Sequence, residues 1–190
     1  MTDQELMSAV SAGDGEAAEE LVLRYRKRLF KYLLGWVKSP DEALDLTQEA
    51  LFKVCGKAHL YNGSAPASAW IFKVARNLVI DRSRGKEYRV ASAAVPLEGV
   101  ERAGRLGSVA GPERWTLRKE ITNRVKQAID ELPPRQREVV QLRLLAELKL
   151  EEIADTMGLS LGGVKSTLHN ALKSLRVALA DLKEERYVNL

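Results

Sequence analysis

The chain carries almost none of the residues that do metal or nucleophile chemistry. In 190 residues there is one cysteine, Cys55, and there are two histidines, His59 and His169. A single thiol excludes an internal disulfide and suits a reducing compartment. Cys55 lies on an apolar helical pattern, where it reads as a small buried hydrophobe. One thiol and two separated imidazoles make no recognisable zinc site, and neither a glycine-rich phosphate loop nor a nucleophile elbow occurs. Paired acids such as Glu151 and Glu152 sit early in a helix, where the macrodipole already favours them. The sequence reads as that of a binding protein and not an enzyme, with no cofactor and no metal. No apolar run reaches the length of a membrane span, and the acidic start lacks the basic segment of a secretory signal. The expectation is a cytoplasmic protein without direct membrane insertion. Sustained apolar–polar alternation is also missing, which leaves an all-α fold.

What is present is ordinary in amount and uneven in placement. Hydrophobic residues make up 45% and charged residues 29%, as in most globular domains. The net charge of +4 points only weakly to a polyanionic partner. Its distribution says more: Met1 to Glu20 holds six acids and no base, and Arg24 to Lys31 holds five bases. Asp41 to Glu49 is acidic again, and Lys73 to Arg89 is basic. Separate acidic and basic surfaces suit a protein that meets nucleic acid in one place and a basic protein in another.

Helical periods run along most of the chain. Leu6, Val10, Ala17, Ala18, Leu21 and Val22 mark two helices broken around Gly13 and Gly15, the second continuing to Val37. Ser39-Pro40-Asp41 restarts the chain as a helix to about His59. After a loop, Ser64 and Pro66 suit the cap and first turn of a helix reaching about Arg84. From 86 to 112 glycine, proline and small residues follow without a period, which reads as a flexible linker. Glu113 to Glu131 is helical again and is ended by Leu132-Pro133-Pro134. The result is two small helical domains, 1–85 and 113–190, joined by a tether.

The stretch from Leu132 to Leu179 carries the clearest motif. It reads as a helix with Ile153, Ala154 and Met157 on its buried edge, a turn at Gly158, and a second helix. In that helix Val164, Leu168, Ala171, Leu172, Leu175 and Leu179 converge on one face. Ser166, His169, Asn170 and Lys173 fall opposite, flanked by Lys165 and Arg176, and no acid occurs from Ser160 to Ala180. A helix entering the major groove needs such a polar face with cations for phosphate. A bundle hairpin would share the apolar spacing but has no need of an acid-free face.

Two further patches lie in the first domain. In DEALDLTQEALFKV, Leu44, Leu51, Val54 and Cys55 read as the core stripe, while Asp41, Asp45, Gln48 and Glu49 gather away from it. Such an acid-and-amide patch is a socket for arginines of a partner helix, or simply a solvated face. Next, Tyr61 and Asn62 on a loop precede Lys73, Arg76, Asn77 and Arg84 on a basic helix. Together they offer stacking, base and phosphate partners for unstacked DNA, with Trp70 and Phe72 assigned to the core.

DEALDLTQEALFKV, then SAWIFKVARNLVIDRSR, then LPPRQREVVQLRLL with EEIADTMGLSLGGVKSTLHNALKSLR, in this order, resemble a bacterial sigma factor of the extracytoplasmic-function group. The resemblance covers nearly the whole chain apart from the linker and the last few residues. It implies an alternative sigma factor that binds core RNA polymerase and directs promoter-specific initiation under an anti-sigma factor. The first domain would bind the β′ clamp and the −10 element, and the second the −35 element and the β flap. Asp45, Gln48 and Glu49 match the clamp-binding D-x-x-Q-E. The loop from Tyr61 to Ala67 matches the pocket for a flipped −10 base, and Lys73, Arg76 and Asn77 match the helix lining melted DNA. Lys165, Ser166, His169 and Asn170 match the −35 reading positions, with Lys173 beside them. Departures also occur: the pattern VKSRLHRAR reads here VKSTLHNAL, without arginines at 167, 170 and 172. Lys149 stands where a serine or threonine cap is usual, and Ala67 where an aromatic is common. Two alternatives stay open. One is a sigma mimic that titrates an anti-sigma factor. The other is a free-standing helix-turn-helix regulator, for which Met1 to Arg84 offers no receiver-like strands.

Overall fold

The computed structural model describes residues 1–85 and 112–180. The expected tether, 86–112, lies outside the described residues except for Pro112. Among the described residues there are eight α-helices, one short 3-10 helix and no strand. In chain order these are α1 (Asp3–Ser11), α2 (Gly15–Val37), α3 (Pro40–Gly56), the 3-10 turn (Ala58–Leu60) and α4 (Ala67–Gly85). Then come α5 (Pro112–Asp130), α6 (Pro134–Leu144), α7 (Leu150–Met157) and α8 (Leu161–Ala178).

Side-chain caps fix the early boundaries. Thr2 and Glu5 form a reciprocal capping box on α1, with Thr2 N–H donating to Glu5 Oε2 at 2.7 Å. Asp14 accepts from Ala17 N–H at 3.1 Å to start α2, and Ser39 with Pro40 starts α3. The helix expected to reach His59 stops at Gly56 and tightens into the 3-10 turn. Pro66 lies just outside α4, its carbonyl accepting from Trp70 N–H at 3.1 Å.

Helices α1 to α4 close around fully buried Leu6, Leu21, Leu46, Val54 and Phe72. Phe72 meets Tyr32 edge-on at 5.6 Å and Tyr25 at 6.4 Å, as aromatic quadrupoles prefer. Asp3 ties α1 to α2: one carboxylate oxygen lies 2.6 Å from Arg24 Nη1 and the other accepts from the Tyr25 hydroxyl. Partial burial pushes the Asp3 pKa up, but the Tyr25 and Arg24 hydrogen bonds outweigh it and hold the carboxyl below its ordinary 3.8. Burial and the Asp3 carboxylate raise the Tyr25 phenol above its usual value. A depressed folded pKa gives stability that is complete above about pH 4 and is lost as pH falls through the folded value. Asp3→Asn should therefore lower stability by about 1 kcal/mol at pH 7, or about 2–4 °C in Tm. That loss should shrink as pH falls through the folded Asp3 pKa, below 3.8, and thermal melts of the variant and the parent chain across that range check it.

The described helices fall into two compact units. One holds α1–α4 with residues 141–164, and the other holds 112–140 with 165–180. The stretch expected to fold as one C-terminal block is thus divided: 141–164 clusters with the N-terminal helices. Leu142, Leu148 and Ile153 have no exposed surface within that first unit. The second unit centres on buried Leu132, Val140 and Ala171, with Ile129, Leu168 and Leu175 packed against them. There the Arg137 guanidinium donates to the carbonyls of Asp130 and, at 3.1 Å, Leu132, closing the Pro133-Pro134 turn. No described helix is long and apolar enough to cross a membrane.

Candidate nucleic-acid and polymerase interfaces

The turn at Gly158 has the expected conformation and a physical need for glycine. Gly158 sits at φ 66°, in the left-handed region, and Leu159 N–H reaches back to the Ala154 carbonyl at 2.9 Å. Ser160 then caps α8, accepting from Gly163 N–H at 3.1 Å, a role the sequence reading missed. At the start of α7 the Lys149 side chain makes no cap. Instead Glu152 accepts the Lys149 N–H at 2.6 Å, half of a capping box.

On α8, Lys165, Ser166, His169, Asn170, Lys173 and Arg176 are all exposed, as expected. Val164 and Ala171 are buried, and Leu168, Leu175 and Leu179 are half-buried. Leu172 departs from its assignment to the apolar face, being 49% exposed. At about 100° per residue it stands roughly 70° from the centre of the buried stripe, beside Lys165, His169 and Arg176. An aliphatic side chain thus occupies part of the cationic surface.

On α3, Asp41, Asp45, Gln48 and Glu49 are exposed. The buried side is Ala43, Leu46, Thr47, Ala50, Leu51 and Val54. Leu44 therefore leaves the expected core stripe. At 50% exposed it lines up at i, i+4, i+8 with Gln48 and Phe52, the last 82% exposed. Cys55 is half-buried, and burial raises its thiol pKa, which keeps it unreactive. Glu49 carries a 2.8 Å ion pair to Lys53 one turn on. The patch is acid and amide with two apolar side chains at its edge.

The loop before α4 is ordered by its own side chains. Tyr61 donates its hydroxyl to the Ala65 carbonyl at 2.7 Å. Asn62 Oδ1 accepts from Ser64 N–H at 3.0 Å and from Ser64 Oγ at 2.7 Å, around Gly63 at φ 73°. With that oxygen engaged, the group Asn62 can offer a base is its amide N–H pair. Phe72 is core, but Trp70 is only half-buried, and its ring lies 5.8 Å from that of Tyr61. Lys73 and Asn77 are exposed and Arg76 is half-buried, all on one side of α4 at i, i+3, i+4 spacing. The α3 patch, this loop and α4 lie in one unit, while residues 165–173 belong to the other. Among the described residues no group of three or more His, Cys, Asp or Glu side chains could hold a metal ion.

Two family matches fall on these elements. Sigma-70 region 2 matches residues 13–88, and sigma-70 region 4 matches residues 122–175. The RNA polymerase sigma-H factor of Pseudomonas aeruginosa is 30% identical over 186 residues, covering 96% of each chain. The ECF RNA polymerase sigma-E factor of Escherichia coli K12 is 30% identical over 178 residues, 92% of this chain and 93% of that one. The chain belongs to the ECF group of the sigma-70 family. It is an alternative sigma factor, a protein that directs transcription initiation and performs no catalysis itself. Solved structures agree on the fold. CnrH in complex with the cytosolic domain of CnrY superposes with a TM-score of 0.68 at 20% identity, over 94% of this chain and 97% of that one. RpoE of Bartonella quintana, in complex with the anti-sigma factor NepR, gives 0.64 at 23% identity, over 85% and 96%.

Proposed function

We propose that this sigma factor joins core RNA polymerase through Asp45, Gln48 and Glu49 of α3, set against the β′ clamp. Tyr61 and Asn62 take an unstacked base of the −10 element, and Lys73, Arg76 and Asn77 follow the melted strand. Lys165, Ser166, His169, Asn170 and Lys173 of α8 meet the −35 element, and the C-terminal part also meets the β flap. In this reading the functional division is 1–85, a tether at 86–112, and 113–190. An anti-sigma factor holds the protein inactive, as NepR partners RpoE in the Bartonella quintana complex. The observation that carries the reading is the exposure of all five α8 residues on a helix without one acid.

Purified protein added to core polymerase on genomic DNA, with start sites mapped, tests it. Specific new start sites are expected, sharing one −35 and one −10 sequence. Absence of any start site favours a mimic that only titrates an anti-sigma factor. Sequence-specific gel shifts by the isolated chain at nanomolar concentration favour a free-standing regulator.

A further inference from the structure

The loop between the 3-10 turn and α4 fixes the direction of one exposed amide. Asn62 Oδ1 accepts from Ser64 N–H at 3.0 Å and from Ser64 Oγ at 2.7 Å. A backbone N–H can only donate, so the Asn62 atom that faces it is the oxygen. Turning the amide about would set donor against donor. Both lone pairs of Oδ1 are therefore in use. The Tyr61 hydroxyl, donating to the Ala65 carbonyl at 2.7 Å, closes the loop around this pair. Gly63 takes the left-handed φ of 73° within it, and nothing lies within 4 Å of where its Cβ would stand. The glycine serves the turn of the backbone and not a close contact. Asn62 is exposed, and among the described residues none accepts from its Nδ2.

This orientation reverses what an asparagine ordinarily reads. A free asparagine amide pairs with adenine, its oxygen accepting from N6 while its nitrogen donates to N7. Asn62 has no accepting atom left for N6. It presents donors alone, and a donor is best met by a base edge that carries two acceptors side by side. Cytosine has such an edge at N3 and O2, and guanine has one at O6 and N7. Adenine sets its N6 amino group beside both N1 and N7, and thymine sets its N3–H beside both carbonyl oxygens. A base drawn out of the stack is read on these edges. A site that hydrogen-bonds one edge discriminates against bases that lack it.

We propose, resting on the −10 role given to Tyr61 and Asn62 above, that Ser64 is a positioning residue that turns the Asn62 N–H pair outward. The unstacked base taken here is then one with two adjacent acceptors, cytosine or guanine, and not adenine. Ser64 needs no contact with the base, because it acts through Asn62.

Holoenzyme assembled from the full chain and core polymerase, transcribing a library randomised over the −10 element, tests this. Asn62→Ala identifies the position read, as the one whose preference it flattens. There the parent chain should favour cytosine or guanine over adenine by at least about fivefold, the low end for one base contact. Ser64→Ala removes one of the two bonds that hold Oδ1, which lets the oxygen accept from adenine N6. The disadvantage of adenine should shrink by roughly twofold or more at that position alone. Ser64→Thr keeps a hydroxyl and should restore the parent preference. A serine with only a structural role would change the amount of transcript on every sequence and leave base preference as it was. A preference for adenine or thymine at the position that Asn62→Ala flattens would overturn the orientation and leave the base-taking role standing. Unchanged base preference in Ser64→Ala would do the same. If Asn62→Ala flattens no −10 position, the role itself is at fault and the base class falls with it.

Discussion

A chain carrying Gln48→Ala and Glu49→Lys is expected to lose core polymerase binding by roughly a hundredfold or more and to keep its fold. Both side chains are exposed, whereas α3 buries Ala43, Leu46, Thr47, Ala50, Leu51 and Val54, so neither substitution opens a cavity. Within the chain the double change removes the 2.8 Å Glu49–Lys53 ion pair, an exposed i,i+4 bridge. Such pairs contribute about 0.3–0.5 kcal/mol, and repulsion between the introduced lysine and Lys53 costs about as much again. Against a basic clamp helix the same change removes an amide and reverses a charge. Breaking one partner of a desolvated charge pair costs about 2–5 kcal/mol, well over an order of magnitude in affinity. Fluorescence anisotropy with core polymerase, beside a thermal melt, separates the outcomes. Unfolding would make the patch structural. Unchanged binding would end the clamp assignment and direct attention to Leu44 and Phe52, the exposed apolar pair on the same face.

The sequence made the helices and their punctuation legible because both depend on neighbours in the chain. Ser39-Pro40, Gly158 and the Pro133-Pro134 break all act within a few residues, and the structure has helix boundaries at each. The exposed faces of α3 and α8 followed from periodicity alone. The errors came where a residue stands near the edge of a stripe. Leu44 and Leu172 are apolar and within one step of a buried position, and hydrophobicity assigned them inward. On α3 the small residues Ala43, Thr47 and Ala50 are buried against the bundle instead, which turns the helix and leaves Leu44 outside. Trp70, assigned to the core, is half-buried, and its ring meets Tyr61 in the loop, a contact that no helical period encodes.

The contacts of 141–157 with α2 and α4 were not legible for a different reason. They join positions 106 and 118 residues apart, as in Gln141–Gly35 and Arg28–Ala146. Each polar partner looks ordinary in sequence, and Gly35 looks like a weak point in a helix. Only the three-dimensional fit explains why a glycine suits that position. The same limit applied to Glu152, read as an acid favoured by a helix N-terminus. It also accepts hydrogen bonds from Lys149 N–H and Ser68.

Asn170→Ala is expected to relax one base position of the −35 preference, while Lys173→Ala weakens binding about equally on all sequences. Asn170 and Lys173 are both exposed, one turn apart on α8, beside His169 and on the side away from buried Val164 and Ala171. Asparagine pairs bidentately with adenine, accepting from N6 and donating to N7, whereas an arginine at the same place favours guanine or phosphate. One such contact carries about 1–3 kcal/mol of discrimination, so preference at that base should fall by roughly 5- to 150-fold. Lysine meets phosphate as a point charge, so its loss lowers affinity without changing rank order and reduces the salt slope by about one ion. Leu172, exposed among Lys165, His169 and Arg176, supplies no charge to either. The surface therefore leans on few cations, and each should weigh heavily. Holoenzyme assembled with each variant and challenged with a promoter library measures both effects in one experiment. An unchanged −35 preference in Asn170→Ala, with holoenzyme formed, would remove Asn170 from the reading face. A base-specific loss in Lys173→Ala would show that the helix lies deeper in the groove, with the turn that follows Asn170 also against the bases.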